Sequence, residues 1–391
     1  MSDNRKYWIW LSEVLGAGAR VDEILSSFAN ARDIYEANRT QRIIAGVFSR
    51  RQIDAFEKVT LKNAENALEL CNRNGWKVYT PEDSEYPELL RKIPDMPLVL
   101  FVDGDISFLN EKIIVGVVGT RKPSYESISI ARKISADMAA KGAVTVSGGA
   151  LGIDSAAHEG TIQGGGKTVC VMGCGLGCAY LRENEPLRRE IARNGALITE
   201  YTPFTPATRY SFPARNRIIS GISSGVLVIE AGEKSGSLIT ARRAVEQGRE
   251  VFAVPGSILT SAYTGVNRLI RDGARVATCA DDILSSFALM YPERLNLSKE
   301  AVLDESESEI LLENAVKQKV KKAEARVKRE APDSLDSDAK AIYDLFESEP
   351  IRADDLCVMS GLSVSRVLSA LMILEFEGLI EASEGKNYRI K

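Results

Sequence analysis

The segment IIVGVVGTRKPS, from Ile113 to Ser124, opens a glycine-punctuated stretch that closes near Gly256. Its apolar run has the length of a strand and stops at Gly119-Thr120-Arg121. A polar segment of helical length follows, from Tyr125 to Lys141. The pattern recurs in AVTVSGGALGIDSAAHEG (Ala143 to Gly160), TVCVMGCG (Thr168 to Gly175) and ALITEY (Ala196 to Tyr201). It recurs again in GVLVIEAGEKSGSLIT (Gly225 to Thr240) and EVFAVPG (Glu250 to Gly256). Short Val/Ile-rich runs that alternate with helix-length segments predict a parallel sheet with helices on both faces. In such sheets the ligand sits at the carboxyl ends of the strands. The glycines cluster at those ends here, so the site is expected there.

Outward from this stretch, a chain of 391 residues exceeds one ordinary core and predicts two or three domains. Residues 1–75 read as helical. Within them, LSEVLGAGARVDEILSSF (Leu11 to Phe28) has the spacing of a helix-hairpin-helix about Gly16-Ala17-Gly18. That turn either presents backbone N–H groups to a phosphate or joins two packing helices. Residues 76–289 form the sheet domain, entered through a short strand, a helix and a second strand. Residues 290–334, rich in Glu and Lys, read as a charged linker. Residues 335–391 have helix–turn–helix spacing with Gly361 at the turn, then EASEGKNYRI as a wing. That is the pattern of a winged helix, whose second helix is the DNA reader in such folds.

Charge separates these regions. Residues 113–289 hold 20 Lys/Arg against 15 Asp/Glu, although the whole chain carries −4. An anionic ligand is therefore expected in the glycine-rich domain. Residues 335–391 hold 6 Lys/Arg against 11 Asp/Glu, so protein contact is expected of the winged helix rather than DNA contact. No run approaches the ~18 apolar residues of a membrane span. The start MSDNRKYWIW lacks a signal-peptide core, and the six cysteines have no framework spacing. Both fit a cytoplasmic, reduced location.

Several motifs carry chemistry. GGGKT (Gly164 to Thr168) has Thr161 where a P-loop needs its first glycine, and it precedes a strand, so it reads as a helix-ending turn. GCGLG (Gly173 to Gly177) reads as a nest of backbone N–H groups rather than a dinucleotide fingerprint. Cys170, Cys174 and Cys178 match no common cluster spacing and read as buried small hydrophobes. His158, the only histidine, lies one turn after Asp154, and a hydrogen bond between them is expected to orient that helix start, a structural or site-shaping role rather than that of a general base. FPARNRIIS (Phe212 to Ser220) places Arg215 and Arg217 at a helix start. These arginines either meet phosphate or lock onto Glu230 or Glu200, while Phe212 offers a base platform. EKSGSLIT puts Lys234, Ser235, Gly236 and Ser237 at a helix N-terminus, where the hydroxyls either meet an anion or only cap the helix.

Taken together, GTRKPS, SGGALGIDSAAH, YTPFTP…FPARNRIISG, EAGEKSGSLITARRA and VFAVPGS resemble the DNA processing protein A family (DprA, also called Smf). The resemblance covers the glycine-rich domain and extends to the helical N-terminus and the winged helix. It implies an extended Rossmann-like fold that binds single-stranded DNA as a homodimer, without a cofactor or established catalysis. It further implies loading of the RecA recombinase onto incoming strands in natural transformation, including strands covered by single-strand-binding protein. By the resemblance, Arg121 of the motif Gly119-Thr120-Arg121 corresponds to the family's phosphate-binding arginine, and Arg209 to a position where the family often has a basic DNA-contacting residue. Tyr180-Leu181 stands where the family has Tyr-Pro, with Arg182 adding a cation beside it, and Glu126 stands where it has glycine. The expected DNA site is therefore Gly119, Thr120, Arg121, Arg182, Arg209, Phe212, Arg215, Arg217, Lys234, Ser235, Gly236 and Ser237. The rival class is a nucleotide-processing enzyme of the Rossmann-like phosphoribohydrolase type, whose PGGxGT signature is not visible here.

Overall fold

The computed structural model describes residues 4–288, 290–295, 335–346, 351–383 and 387–390. The chain divides into two compact units, Met1–Val302 and Leu303–Lys391. Most of the expected linker, residues 296–334, lies outside the described residues.

The first unit is built on a nine-stranded sheet. Its strands are β1 (Lys77–Tyr79), β2 (Leu100–Gly104), β3 (Ile114–Val118), β4 (Val144–Ser147) and β5 (Thr168–Val171). They continue with β6 (Ala196–Thr199), β7 (Gly225–Val228), β8 (Glu250–Ala253) and β9 (Arg275–Val276). The spatial order is β1-β2-β6-β5-β4-β3-β7-β8-β9. All six apolar runs are strands, β3 to β8, and they pair in parallel. Every residue of β3 is buried, as a strand covered on both faces requires. Alternate side chains serve opposite cores. Ile113, Val115 and Val117 pack with the helices Tyr125–Ala140, Ile153–Gln163 and Asp281–Ala288. Ile114 and Val118 join the other face, with the helices Ser211–Ile222 and Ser237–Glu246 and the N-terminal helices.

The sheet is mixed rather than parallel throughout. β2 runs antiparallel to β6, and β1 antiparallel to β2. A buried apolar run reads the same in either direction, so hydrophobicity could not set the direction of LVLFV. β9 has only two residues, both exposed, too few to show a period.

The N-terminal helices, Arg5–Leu15 through Leu61–Asn74, share one continuous core with the sheet. In the Gly16-Ala17-Gly18 turn, Gly16 and Ala17 are exposed and Gly18 is half-buried. The turn lines a cavity of about 170 Å³ together with Glu200 and Arg217, and Gly18 gives a backbone hydrogen bond to Glu200. The turn joins packed elements, and two of its amides are taken inside the fold, Gly16 by the Ser12 carbonyl and Gly18 by Glu200.

The second unit holds the helices Ser337–Asp344, Ala353–Ser360 and Val364–Phe376 and a small antiparallel sheet. Gly361 sits between the last two helices at φ +68, a left-handed cap that glycine takes without a Cβ penalty. This is the winged helix expected from the sequence. No single helix among the described residues is long and apolar enough to cross a membrane.

Candidate functional site

The strand order reverses beside β3. The chain leaves β3 toward β4, β5 and β6, then returns to pair β7 on its other side. The connections after β3 and β7 lead to helices on opposite faces, so a crevice opens at the carboxyl ends of these two strands. It measures about 630 Å³.

Gly119, Thr120 and Arg121 form its first wall. A Cβ on Gly119 would lie 2.5 Å from Ile153, so only glycine lets the loop lie against the helix Ile153–Gln163. The Thr120 amide donates to the Glu230 carbonyl at 2.7 Å, and its own carbonyl accepts from the Ile153 amide at 3.3 Å. The loop is thus pinned between β7 and the next helix. The buried Glu230 carboxylate accepts from the Ser124 amide and hydroxyl at 2.9 Å each. It anchors the start of the helix Tyr125–Ala140 and meets neither Arg215 nor Arg217.

Arg215 is buried, donating to the carbonyls of Gly148 and Val171 at the ends of β4 and β5. A Cβ on Gly148 would lie 2.4 Å from the Arg215 guanidinium, which explains one glycine of the SGG motif. Asp154 shares the crevice wall. Burial pushes its carboxyl above the usual range, and the positive charge of Arg215 partly offsets that push. The sequence reading assigned Asp154 to His158 instead. His158 in fact points to Thr168, with Nδ1 2.7 Å from the hydroxyl, and burial pulls its pKa down to about 3.

Arg121 and Arg209 are exposed at the rim. The Arg121 guanidinium lies 5.5 Å over the Phe212 ring. Phe212 is half-buried, 5.1 Å from the Tyr180 ring and in contact with Gly173. One face of Phe212 therefore already carries a cation. Arg209 lies 4.6 Å over the ring of Tyr210 and hydrogen-bonds its hydroxyl. Ser235, Gly236, Ser237, Asn216 and Thr240 complete the crevice. The Ser235 and Ser237 hydroxyls hydrogen-bond each other at 2.8 Å.

Three expected site residues lie elsewhere. Arg217 is locked to Glu200 at 2.6 Å and to Asp95 at 3.6 Å, nearly fully buried, beside Gly18. Lys234 lines a neighbouring groove of about 760 Å³. Arg182 is exposed in the turn Arg182–Asn184. Leu181 before it has φ +48, a left-handed value that proline, fixed near −65°, cannot take. The departure from Tyr-Pro and the shape of this loop therefore go together.

GCGLG is not a free nest. The Gly175 amide donates to the Thr205 carbonyl at 2.9 Å and the Gly177 amide to the Pro203 carbonyl at 2.8 Å. Its glycines admit the loop after β6, since a Cβ on Gly175 would lie 2.1 Å from the Thr202 carbonyl. GGGKT lies at the opposite, amino edge of β5, where Lys167 rests 4.9 Å over Phe108. Cys170 and Cys174 are buried, each thiol pushed up to about 12 by desolvation. No group of three His, Cys, Asp or Glu placed to hold a metal occurs among the described residues.

Sequence reasoning passed over three exposed aromatics at this carboxyl edge. Tyr125 is 85% exposed at the helix start after β3, and Phe204 and Tyr210 are 59% and 69% exposed after β6. The signal was present in YTPFTPATRY and PSYES, where an aromatic sits among turn residues that cannot bury it.

The profile of the family described as DNA recombination-mediator protein A matches residues 77–288, and that of the DprA winged helix domain matches 326–386. The chain is 43% identical to DNA processing protein DprA of Bacillus subtilis over 54% of its length and 69% of that protein. It is 32% identical to Protein Smf of Synechocystis over 99% of both chains. The crystal structure of DNA processing protein A from Streptococcus pneumoniae aligns with a TM-score of 0.62 at 33% identity, over 72% of this chain and 97% of that one. A structure of the Helicobacter pylori protein, described for its single-stranded DNA binding mode, aligns at 0.50 and 30% identity over 55% of this chain and 97% of that one.

Proposed function

The chain belongs to the DNA recombination-mediator protein A family, and from that premise we propose that its switch-point crevice is the seat of single-stranded DNA. One observation carries the reading. Two exposed arginines and the exposed aromatics Tyr125, Phe204 and Tyr210 share the carboxyl edge of the sheet, with Arg215 behind them. Exposed cations track a phosphate backbone without reading sequence, and exposed rings stack bases. Gly119, Thr120, Ser235, Gly236 and Ser237 supply the close backbone approach. In this reading Arg217 supports the fold, and Lys234 and Arg182 touch only a strand that runs beyond the crevice.

The role is binding and hand-over, not catalysis. The strand so held is presented to a RecA-type recombinase, with single-strand-binding protein displaced, by a cytoplasmic homodimer acting in DNA uptake. Membership of the family supports these finer points. The test is titration of a labelled oligothymidine into the full chain, beside an assay of RecA filament growth on a strand coated with single-strand-binding protein. Saturable binding that stimulates filament growth supports the reading. Nucleotide hydrolysis without strand binding would return the enzyme class.

A further inference from the structure

Helix Val364–Phe376 of the C-terminal unit has two apolar faces. Val367, Ala370, Leu371 and Leu374 are buried in that unit's core at the spacing of one helical stripe. A second stripe, Leu368, Met372 and Phe376, faces solvent at 42%, 71% and 92% exposure. Val364 and Ile373 widen it.

In a winged helix that reads DNA, this is the helix whose outer face carries donors and cations. Here its single cation, Arg366, is held by Asp338 through two hydrogen bonds of 2.7 and 2.6 Å. The charges flanking the stripe are Glu375 and Glu377, both exposed. Phosphate is repelled from such a surface. A continuous exposed apolar band marks a partner site, and methionine suits one that must adapt to its ligand. A second copy of the unit would set like charges against each other, since residues 335–391 hold 6 Lys/Arg against 11 Asp/Glu.

We propose that this face docks an amphipathic helix of a partner protein, one whose apolar stripe is flanked by Lys and Arg. The apolar band supplies the buried contact, and the glutamates select the charge of the partner.

The probe is a short fluorescein-labelled peptide of Leu and Lys at helical spacing, titrated into the full chain by anisotropy. Saturable binding is expected. Met372→Asp and Phe376→Asp should each weaken it about tenfold or more. Both sites are exposed, and an unchanged thermal melt confirms that the variants fold. Glu375→Lys with Glu377→Lys should also weaken it. No binding by the parent chain overturns the proposal, as does equal binding of a peptide with Glu in place of Lys. A short DNA duplex whose binding is lost on Arg366→Ala would assign the helix to DNA instead. Self-association abolished by Met372→Asp would assign the face to a second copy.

Discussion

At the scale of single residues, the arginines of the glycine-rich domain divide by what already holds them. Arg121 and Arg209 are exposed, Arg121 over the Phe212 ring and Arg209 over the Tyr210 ring, whose hydroxyl it also hydrogen-bonds. Replacing either by alanine should weaken oligothymidine binding for all sequences alike. Each should also lower the salt slope of log affinity by roughly 0.7, the value for one single-strand phosphate contact. Because Arg121 lies over Phe212, the two are not independent. Arg121→Ala and Phe212→Ala should couple, the double variant losing less affinity than the sum, by about 0.5–3 kcal/mol. Strict additivity would mean that the cation and ring act apart. Arg217→Ala should behave differently. It strands Glu200 in the core and should cost about 3–5 kcal/mol in urea unfolding, with the salt slope unchanged. A reduced salt slope in that folded variant would return Arg217 to the DNA site.

At the scale of elements, the crevice depends on how helices are pinned to strands. The helix Ile153–Gln163 is tied to β5 through His158 and Thr168. Buried His158 is held at about 3, below its ordinary 6.5. A depressed folded value means that its stability contribution is complete above pH 6.5 and is lost as pH falls toward 3. The slope cannot exceed about 1.4 kcal/mol per pH unit for one proton. Asp154 and Glu200 run the other way, since burial raises both carboxyls and their contribution is lost as pH rises through the raised values. Comparing His158→Gln with the parent isolates the histidine. The variant's stability should fall less between pH 6.5 and 4, as measured by urea midpoint. Equal slopes would show that His158 does not set the acid limit.

At the scale of the whole molecule, the positive and negative charges are segregated by region. The sheet domain carries the excess Lys/Arg and the winged helix the excess Asp/Glu. A chain ending at Leu295 should therefore keep its affinity for single strands within about tenfold, or 1.4 kcal/mol. A larger loss would place DNA contact in the C-terminal region after all.

The sequence determined the alternating strands and helices, the glycine-lined carboxyl edge of the sheet, and the winged helix, because these follow from local periodicity and glycine placement. It also placed Arg121 at the carboxyl edge, because a residue three positions past the end of β3 must come there. Only the tertiary structure decided partners. Arg215 and Arg217 sit two apart in one helix, yet one turns to strand-end carbonyls and the other to a buried glutamate. GCGLG reads as a phosphate nest, and its Gly175 and Gly177 amides are taken by the protein's own carbonyls, while the Gly16-Ala17-Gly18 turn gives its Gly18 amide to Glu200. Strand direction at the edge, Asp154's place in the crevice and the open rings of Tyr125, Phe204 and Tyr210 were likewise settled by packing. A spacing fixes which groups share a face of a helix or strand. What lies opposite that face comes from segments distant in the chain, and no local pattern records it.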